Sequence, residues 1–552
     1  MSKFSTYLKR LIADSGESIS SLARTIGAER TSIHKALADE RILSYKTVQA
    51  LARHFNLSVD ERKDFFQLYD ILLQGEETYN NRQAVCRLLN NLASVDFSMA
   101  PPPEVSSLSI SERLIKGEFA VRSAIRSVLI YEISHTENAE FNLFLPPSLK
   151  LTIDFMEFWL DNRSFTVNEL LCFETSPNAA AKNLELLHAV IPLCLASRGH
   201  YKPYYFHETP KAASLSPMGY YIISPHYLIL FSEDLSTAQI LESEDLISYY
   251  RNFFKNLLLQ CEPLTQCSSD MAEVLNEYIS VAAPDSLHII MPQPCIGRYI
   301  SHNIVEKYLN RSQLPLEPYL SLIDQHYSFL RQVESNYYTI FTEEGLQNLI
   351  ESRTCDDSPK ELIPYLDQSD VCDFLKKLYQ EIETGTVLGL IARPTQLHLP
   401  DYLSIYINPQ TGLHIYTTLK FVFGSYCCNI HITEESIRSL FLDFFHSLPE
   451  SNLVYSKEDT LYLLKHYINQ LETSVYKGYK RDKIEMRGDR AEMSDFPLYL
   501  NTVAGGLDRR DQTIGGFSFV VKIYALPVVE IIGQLLYLLG RYGFNAQFSD
   551  CL

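Results

Sequence analysis

Two distant stretches of this chain carry the same apolar pattern. Leu246, Tyr249, Tyr250, Phe253, Phe254 and Leu257 match Ile437, Leu440, Phe441, Phe444, Phe445 and Leu448 at a constant offset of 191. Spacings of three and four put all six on one helix face. Upstream of each helix lie two β-rich runs joined by a polar-proline turn: Tyr221–Pro225 with Tyr227–Phe231, and Tyr406–Pro409 with Leu413–Tyr416. Both read as hairpins. Farther upstream, Glu140–Pro146 matches Ser286–Pro292, each a strand ending in proline between two helical stretches. The same elements in the same order, twice, imply two copies of one α+β module, a mixed or antiparallel sheet flanked by helices. The expected copies cover 105–262 and 268–450. The competing reading is two unrelated α/β stretches with ordinary periodicity.

The first seventy residues follow a different rule. Five short helical segments succeed one another, each bounded by polar or capping residues. The first runs from Phe4 to about Ala13, with Phe4, Leu8, Leu11 and Ile12 on one face. Ser18 caps a second over Ile19–Ile26, which stops at Gly27. A third covers Arg30–Leu37, with Ile33 and Leu37 inward and Arg30, Thr31, His34 and Lys35 outward. Ser44 caps a fourth, and Ser58 to Asp60 opens a fifth. Small Ala23 before Gly27, then Ile33, lets two short helices cross closely through a tight turn.

These residues carry a family resemblance. The run Ile19-Ser-Ser-Leu-Ala-Arg-Thr-Ile-Gly-Ala-Glu-Arg-Thr-Ser-Ile-His-Lys-Ala-Leu, followed by Ser44-Tyr-Lys-Thr-Val-Gln-Ala-Leu-Ala, resembles the Cro/C1-repressor or XRE class of helix-turn-helix domains over residues 4–72. The resemblance implies an all-α domain over 1–73 whose third helix enters the major groove of double-stranded DNA. By position, Arg30, Thr31, His34 and Lys35 would then read base edges. Ser18, Ser20, Arg41 and Lys46 would contact phosphates. Glu29, just before the reading helix, and Asp39-Glu40, just after it, put negative charge near the expected DNA backbone. Weak binding by one copy is the expected consequence, with dimerisation placing two copies on adjacent half-sites.

Charge supports the same division. The net charge is −19, which phosphate repels. Residues 1–75 hold 11 Lys and Arg against 9 Asp and Glu, leaving −21 on the remainder, so only the N-terminus tolerates DNA. A content of 46% hydrophobic and 21% charged residues is that of a globular protein. Eleven cysteines lack C-x-x-C or zinc-ligand spacing and read as reduced core residues of a cytoplasmic protein. The N-terminus lacks a secretory pattern. The apolar tract Phe517–Leu539 is broken by Lys522, Pro527, Glu530 and Gln534 and reads as buried, not as a membrane partner.

Between these parts, 74–104 reads as a helical connector followed by the extended linker Ser98-Met-Ala-Pro-Pro-Pro-Glu104. The last segment, 451–552, opens with an amphipathic helix over Ser456–Leu471 and continues into a basic stretch, Tyr476–Ile484, expected as a solvated loop. No phosphate-cradling glycine loop, nucleophile elbow or H-E-x-x-H helix is present, and the histidines are scattered. No catalytic residue, metal or cofactor is therefore expected. Vicinal Cys427-Cys428 would suit a redox or soft-metal sensor but reads better as packing. Tyr201–Phe206 would suit a ligand pocket but reads better as strand core. The expectation is a bacterial one-component transcriptional regulator, a homodimer answering to an unknown small-molecule or protein effector. A DNA-anchored scaffold and an unrecognised enzyme fused to the same domain are the alternatives.

Overall fold

The computed structural model describes residues 1–97, 114–146, 149–161, 163–175, 179–208, 218–268, 286–308, 337–356, 365–417 and 428–485, with several positions between 321 and 331. The linker at 98–104, Cys427 and the tract 517–539 lie outside them.

Five helices open the chain: α1 (Lys3–Ser15), α2 (Ile19–Ile26), α3 (Arg30–Leu37), α4 (Tyr45–His54) and α5 (Val59–Gln74). Serine hydroxyls supply their starts. Ser2, Ser18 and Ser44 accept from the backbone N–H three residues on, and Ser58 forms a reciprocal capping box with Glu61. Phe4, Leu8, Leu22, Ile33, Val48, Leu51, Phe65 and Tyr69 interlock as one core, Phe4 and Phe65 with ring centroids 5.1 Å apart. Buried Tyr69 keeps its hydroxyl satisfied by donating to Leu43 O at 2.7 Å.

Gly75, at φ 88°, separates α5 from α6 (Glu76–Leu92). This helix, expected as a connector, is a core element of the α+β region. It buries Val85, Leu88, Leu89 and Leu92 within the largest apolar cluster of the described residues.

An α+β region with two mixed sheets follows. The first contains β1 (Leu114–Lys116), β2 (Ala139–Phe144), β3 (Phe165–Glu174), β4 (Tyr201–Glu208), β5 (Tyr220–Ile223), β6 (Leu228–Phe231), β7 (Thr237–Leu241) and β8 (Glu262–Pro263), in the spatial order β1-β7-β6-β5-β2-β3-β4-β8. The second contains β9 (Gln266–Ser268), β10 (Leu287–Ile290), β11 (Tyr337–Thr342), β12 (Val387–Ala392), β13 (Ser404–Asn408), β14 (Gly412–Thr417) and β15 (Cys428–Ile432), in the order β12-β11-β10-β13-β14-β15-β9. In the first, β2, β3 and β4 run parallel, while β5, β6 and β7 form an antiparallel meander that ends on β1. In the second, β10, β11 and β12 run parallel, and β13, β14 and β15 form a meander that ends on β9.

Parallel neighbours need crossovers. The first sheet is served by α7 (Glu118–His135), α8 (Thr152–Leu160) and α9 (Ala179–Ser197), and its meander leads into α10 (Glu244–Leu258). Around the second sheet lie α11 (His302–Tyr308), α12 (Glu343–Ser352) and α13 (Gln368–Thr384), and its meander leads into α14 (Glu435–Ser447). Gly345 in α12 admits no side chain, because a Cβ there would run into the carbonyl of Pro292. Apolar α9 has the length and composition of a membrane span, but here it packs on β3, β4, α6 and α8. Finally, α15 (Lys457–Glu485) sets Leu464, Tyr467, Ile468 and Leu471 into the second core. It also corrects the loop expected over 476–484, which is helical. Lys, Arg and Tyr are adequate helix formers, and Gly478 costs only about 1 kcal/mol.

Candidate nucleic-acid interface

Two eight-residue helices, α2 and α3, are joined by Gly27-Ala28-Glu29. Gly27 adopts φ 68°, the left-handed conformation glycine reaches without Cβ strain. Its N–H donates to Arg24 O, and the Ala28 N–H donates to Ala23 O at 2.9 Å, closing the end of α2 in a Schellman pattern. Leu22, Ala23, Ile33, Ala36 and Leu37 are buried beneath the pair.

The opposite face of α3 is open. Arg30, Thr31, His34 and Lys35 are all exposed, and helical spacing groups them on one surface. Arg30 Nε donates to His34 Nε2 at 3.4 Å, which requires the tautomer of neutral His34 protonated at Nδ1. At the flank, Arg41 Nη1 donates to Ser32 Oγ at 3.2 Å, bringing its guanidinium against α3. Ser32 in turn donates to Glu29 Oε2 at 3.4 Å. Lys46 stands exposed in the first turn of α4 and Ser18 exposed before α2, whereas Ser20 is half-buried. The Ser18 oxygen already accepts from Ser21 N at 3.2 Å, so its hydroxyl hydrogen is what remains for a phosphate.

Asp39 departs from expectation. Its carboxylate accepts from Ser2 N and from Ser2 Oγ, both at 2.6 Å. Those hydrogen bonds hold it well below the usual carboxylate range, at about 2. The carboxylate is thus tied to the start of α1 but stays ionised, and Glu29, Asp39 and Glu40 all stand exposed around α3.

Elsewhere, histidines scattered in sequence meet in space. His288 and His446 approach to 2.9 Å between ring nitrogens, and His414 stacks on His431 with centroids 4.0 Å apart. Burial and the neighbouring imidazole hold His288 down at about 4 and His414 at about 3, so both are neutral packing groups at neutral pH. No cluster of three or more His, Cys, Asp or Glu able to hold a metal occurs among the described residues. Buried Glu132 accepts from Ser224 Oγ, His226 N and His226 Nδ1 at 3.0–3.1 Å, bracing the turn between β5 and β6. Local sequence offered no sign of it, since Glu132 lies 94 positions from His226.

No family model and no curated protein matches this chain. Among solved structures it is similar to TrmBL2, an archaeal chromatin protein described as binding DNA, with 16% identity over 36% of this chain and 69% of that one, at a TM-score of 0.22. It is also similar to phosphatidylserine synthase of Haemophilus influenzae Rd KW20, with 10% identity over 74% of this chain and 98% of that one, TM-score 0.20. Polyphosphate kinase from Porphyromonas gingivalis gives 9% identity over 65% of this chain and 55% of that one, TM-score 0.19. Scores this low do not establish a shared overall fold.

Proposed function

We propose that α2 and α3 form a helix-turn-helix of the XRE type and that the protein is a cytoplasmic, sequence-specific transcriptional regulator. The observation that carries this reading is the outward face of α3. Ile33, Ala36 and Leu37 anchor the helix from beneath, while Arg30, Thr31, His34 and Lys35 stand exposed and Arg41 is held against the helix through Ser32. That is the disposition a reading helix needs, with base-edge donors in the middle and a phosphate-binding cation beside them.

The α+β region is read as two copies of one module. Strand for strand, β1–β7 correspond to β9–β15 in order and direction, and α10 corresponds to α14. Among the described strands, only β8 has no counterpart. This region dimerises in the proposed regulator, placing two reading helices on paired half-sites, and it receives the signal that adjusts their spacing.

Fluorescence anisotropy against a mixed-sequence duplex over a salt series tests the phosphate side. Arg41→Ala and Lys46→Ala each flatten the slope of log affinity on log salt by about 1, with sequence preference unchanged. No measurable binding to any duplex at about 50 mM salt would remove the reading.

A further inference from the structure

A cavity of about 180 Å³ lies over the carboxyl halves of β2 and β3, walled by Leu143, Phe155, Leu171 and Leu193, with Glu169 and Tyr201 at its polar end. The crevice beyond the carboxyl ends of parallel strands is where open α/β sheets characteristically bind ligands. Tyr201 Oη donates to Glu169 Oε2 at 2.6 Å. Two other carboxylates of the rim are already matched, Glu174 by Lys182 at 2.9 Å and Glu185 by Arg87 at 4.0 Å. Glu169 has no cation against it among the described residues. An apolar chamber that ends on a carboxylate without a counter-charge is shaped for a molecule that brings one.

We propose that this cavity is the effector site and that it takes a small apolar molecule bearing one protonated amine, the ammonium against Glu169 and the apolar body against Leu143, Phe155, Leu171 and Leu193. The proposal rests on the regulator reading above. An apolar cavity of ~150 Å³ accommodates a benzene ring, so this one suits a ring with a short aminoalkyl arm. Burial raises the Glu169 carboxyl to about 7, opposed by the Tyr201 hydrogen bond. The other charged groups around the cavity are Lys150 before α8, Glu174 on β3, Glu185 on α9 and Glu233 between β6 and β7. A binding ammonium displaces the Glu169 proton, so affinity for amines rises as pH passes upward through that value.

The wall of the cavity is also the route out of it. Leu186, Ala189, Val190 and Leu193 of α9 line it. The same helix meets α6 through Arg87–Glu185 and through Asn91 Nδ2 at 3.1 Å from His188 Nδ1. Helix α6 contacts α5 of the N-terminal bundle. A ligand that shifts α9 therefore acts on the element that carries the DNA-reading helices.

Calorimetric titration of the full chain with 2-phenylethylamine, and with 3-phenylpropanoate as an anion of similar shape, tests the site. The amine is expected to bind the wild type, to bind Glu169→Gln about tenfold or more weakly, and to be excluded by Ala189→Leu, which fills the cavity without altering charge. The anion is expected not to bind. Thermal unfolding of both variants verifies that they fold. Saturating amine is expected to change affinity for duplex DNA by about fivefold or more. Equal binding by Glu169→Gln, binding of the anion, or no binding of the amine overturns the site. Amine binding that leaves DNA affinity unchanged overturns its role as effector site. Failure of the ligand-free protein to bind DNA counts instead against the regulator reading, whatever the titration gives.

Discussion

The carboxylate of Asp39 holds the start of α1 through two hydrogen bonds from Ser2, and its backbone stands at φ 58°. Asn tolerates that left-handed conformation, so Asp39→Asn removes the charge while keeping the backbone. Because the folded state lowers this carboxyl from 3.8 to about 2, its stabilisation is complete above the unfolded value and is lost as pH falls toward 2. Thermal unfolding should therefore find Asp39→Asn less stable than the wild type at pH 7, with the gap closing between about pH 4 and 2. A gap that persists at the acid end would mean the charge is not its source. On α3, Arg30→Ala or Lys35→Ala should weaken binding to a preferred site by about 1–3 kcal/mol if that side chain reads a base. Competition between preferred and mixed duplexes measures that loss.

Helices α10 and α14 carry the same apolar pattern in different surroundings. Leu440 and Phe444 of α14 are 6% and 0% exposed, covered by α6 and α9, while Tyr249 and Phe253 at the matching positions of α10 are 67% and 45% exposed. Phe444→Ala should cost about 3–5 kcal/mol in urea unfolding, and Phe253→Ala about 1 kcal/mol or less. Equal costs would mean that Phe253 has cover of its own. Elements of this kind were legible because their signals are local. Ser18 and Gly27 bound α2, a short turn precedes Arg30, and proline-ended runs mark the strands, so the expected spans Ile19–Ile26 and Arg30–Leu37 coincide with the helices observed. What packs against what was not legible. The apolar stripe of α6 suggested a connector, since nothing local announces α9 or α14 as its partners. Glu169 left only a faint trace, one acid on the strand face that otherwise carries Phe165, Val167, Leu171 and Phe173, and its meaning depends on Tyr201 from the neighbouring strand.

Among the described residues, α6 contacts α5 of the N-terminal bundle and both α9 and α14 of the α+β region. Its Arg82 forks onto Asp443 of α14 at 2.7 and 2.8 Å, joining residues 361 positions apart, and the same helix packs on α9. In the proposed regulator, DNA is met through the N-terminal bundle, where residues 1–75 carry a slight positive balance, and one copy offers it a single reading helix. In the proposed regulator α3 reads sequence. Selection of sites from a random duplex pool at about 0.15 M salt, where screening suppresses loose attraction, tests it most directly with wild-type protein beside the Arg30→Ala, Lys35→Ala double variant. A sequence-reading α3 gives a two-fold-symmetric motif that the wild type enriches and the double variant loses. No enrichment by the wild type, or the same motif from both proteins, would contradict it.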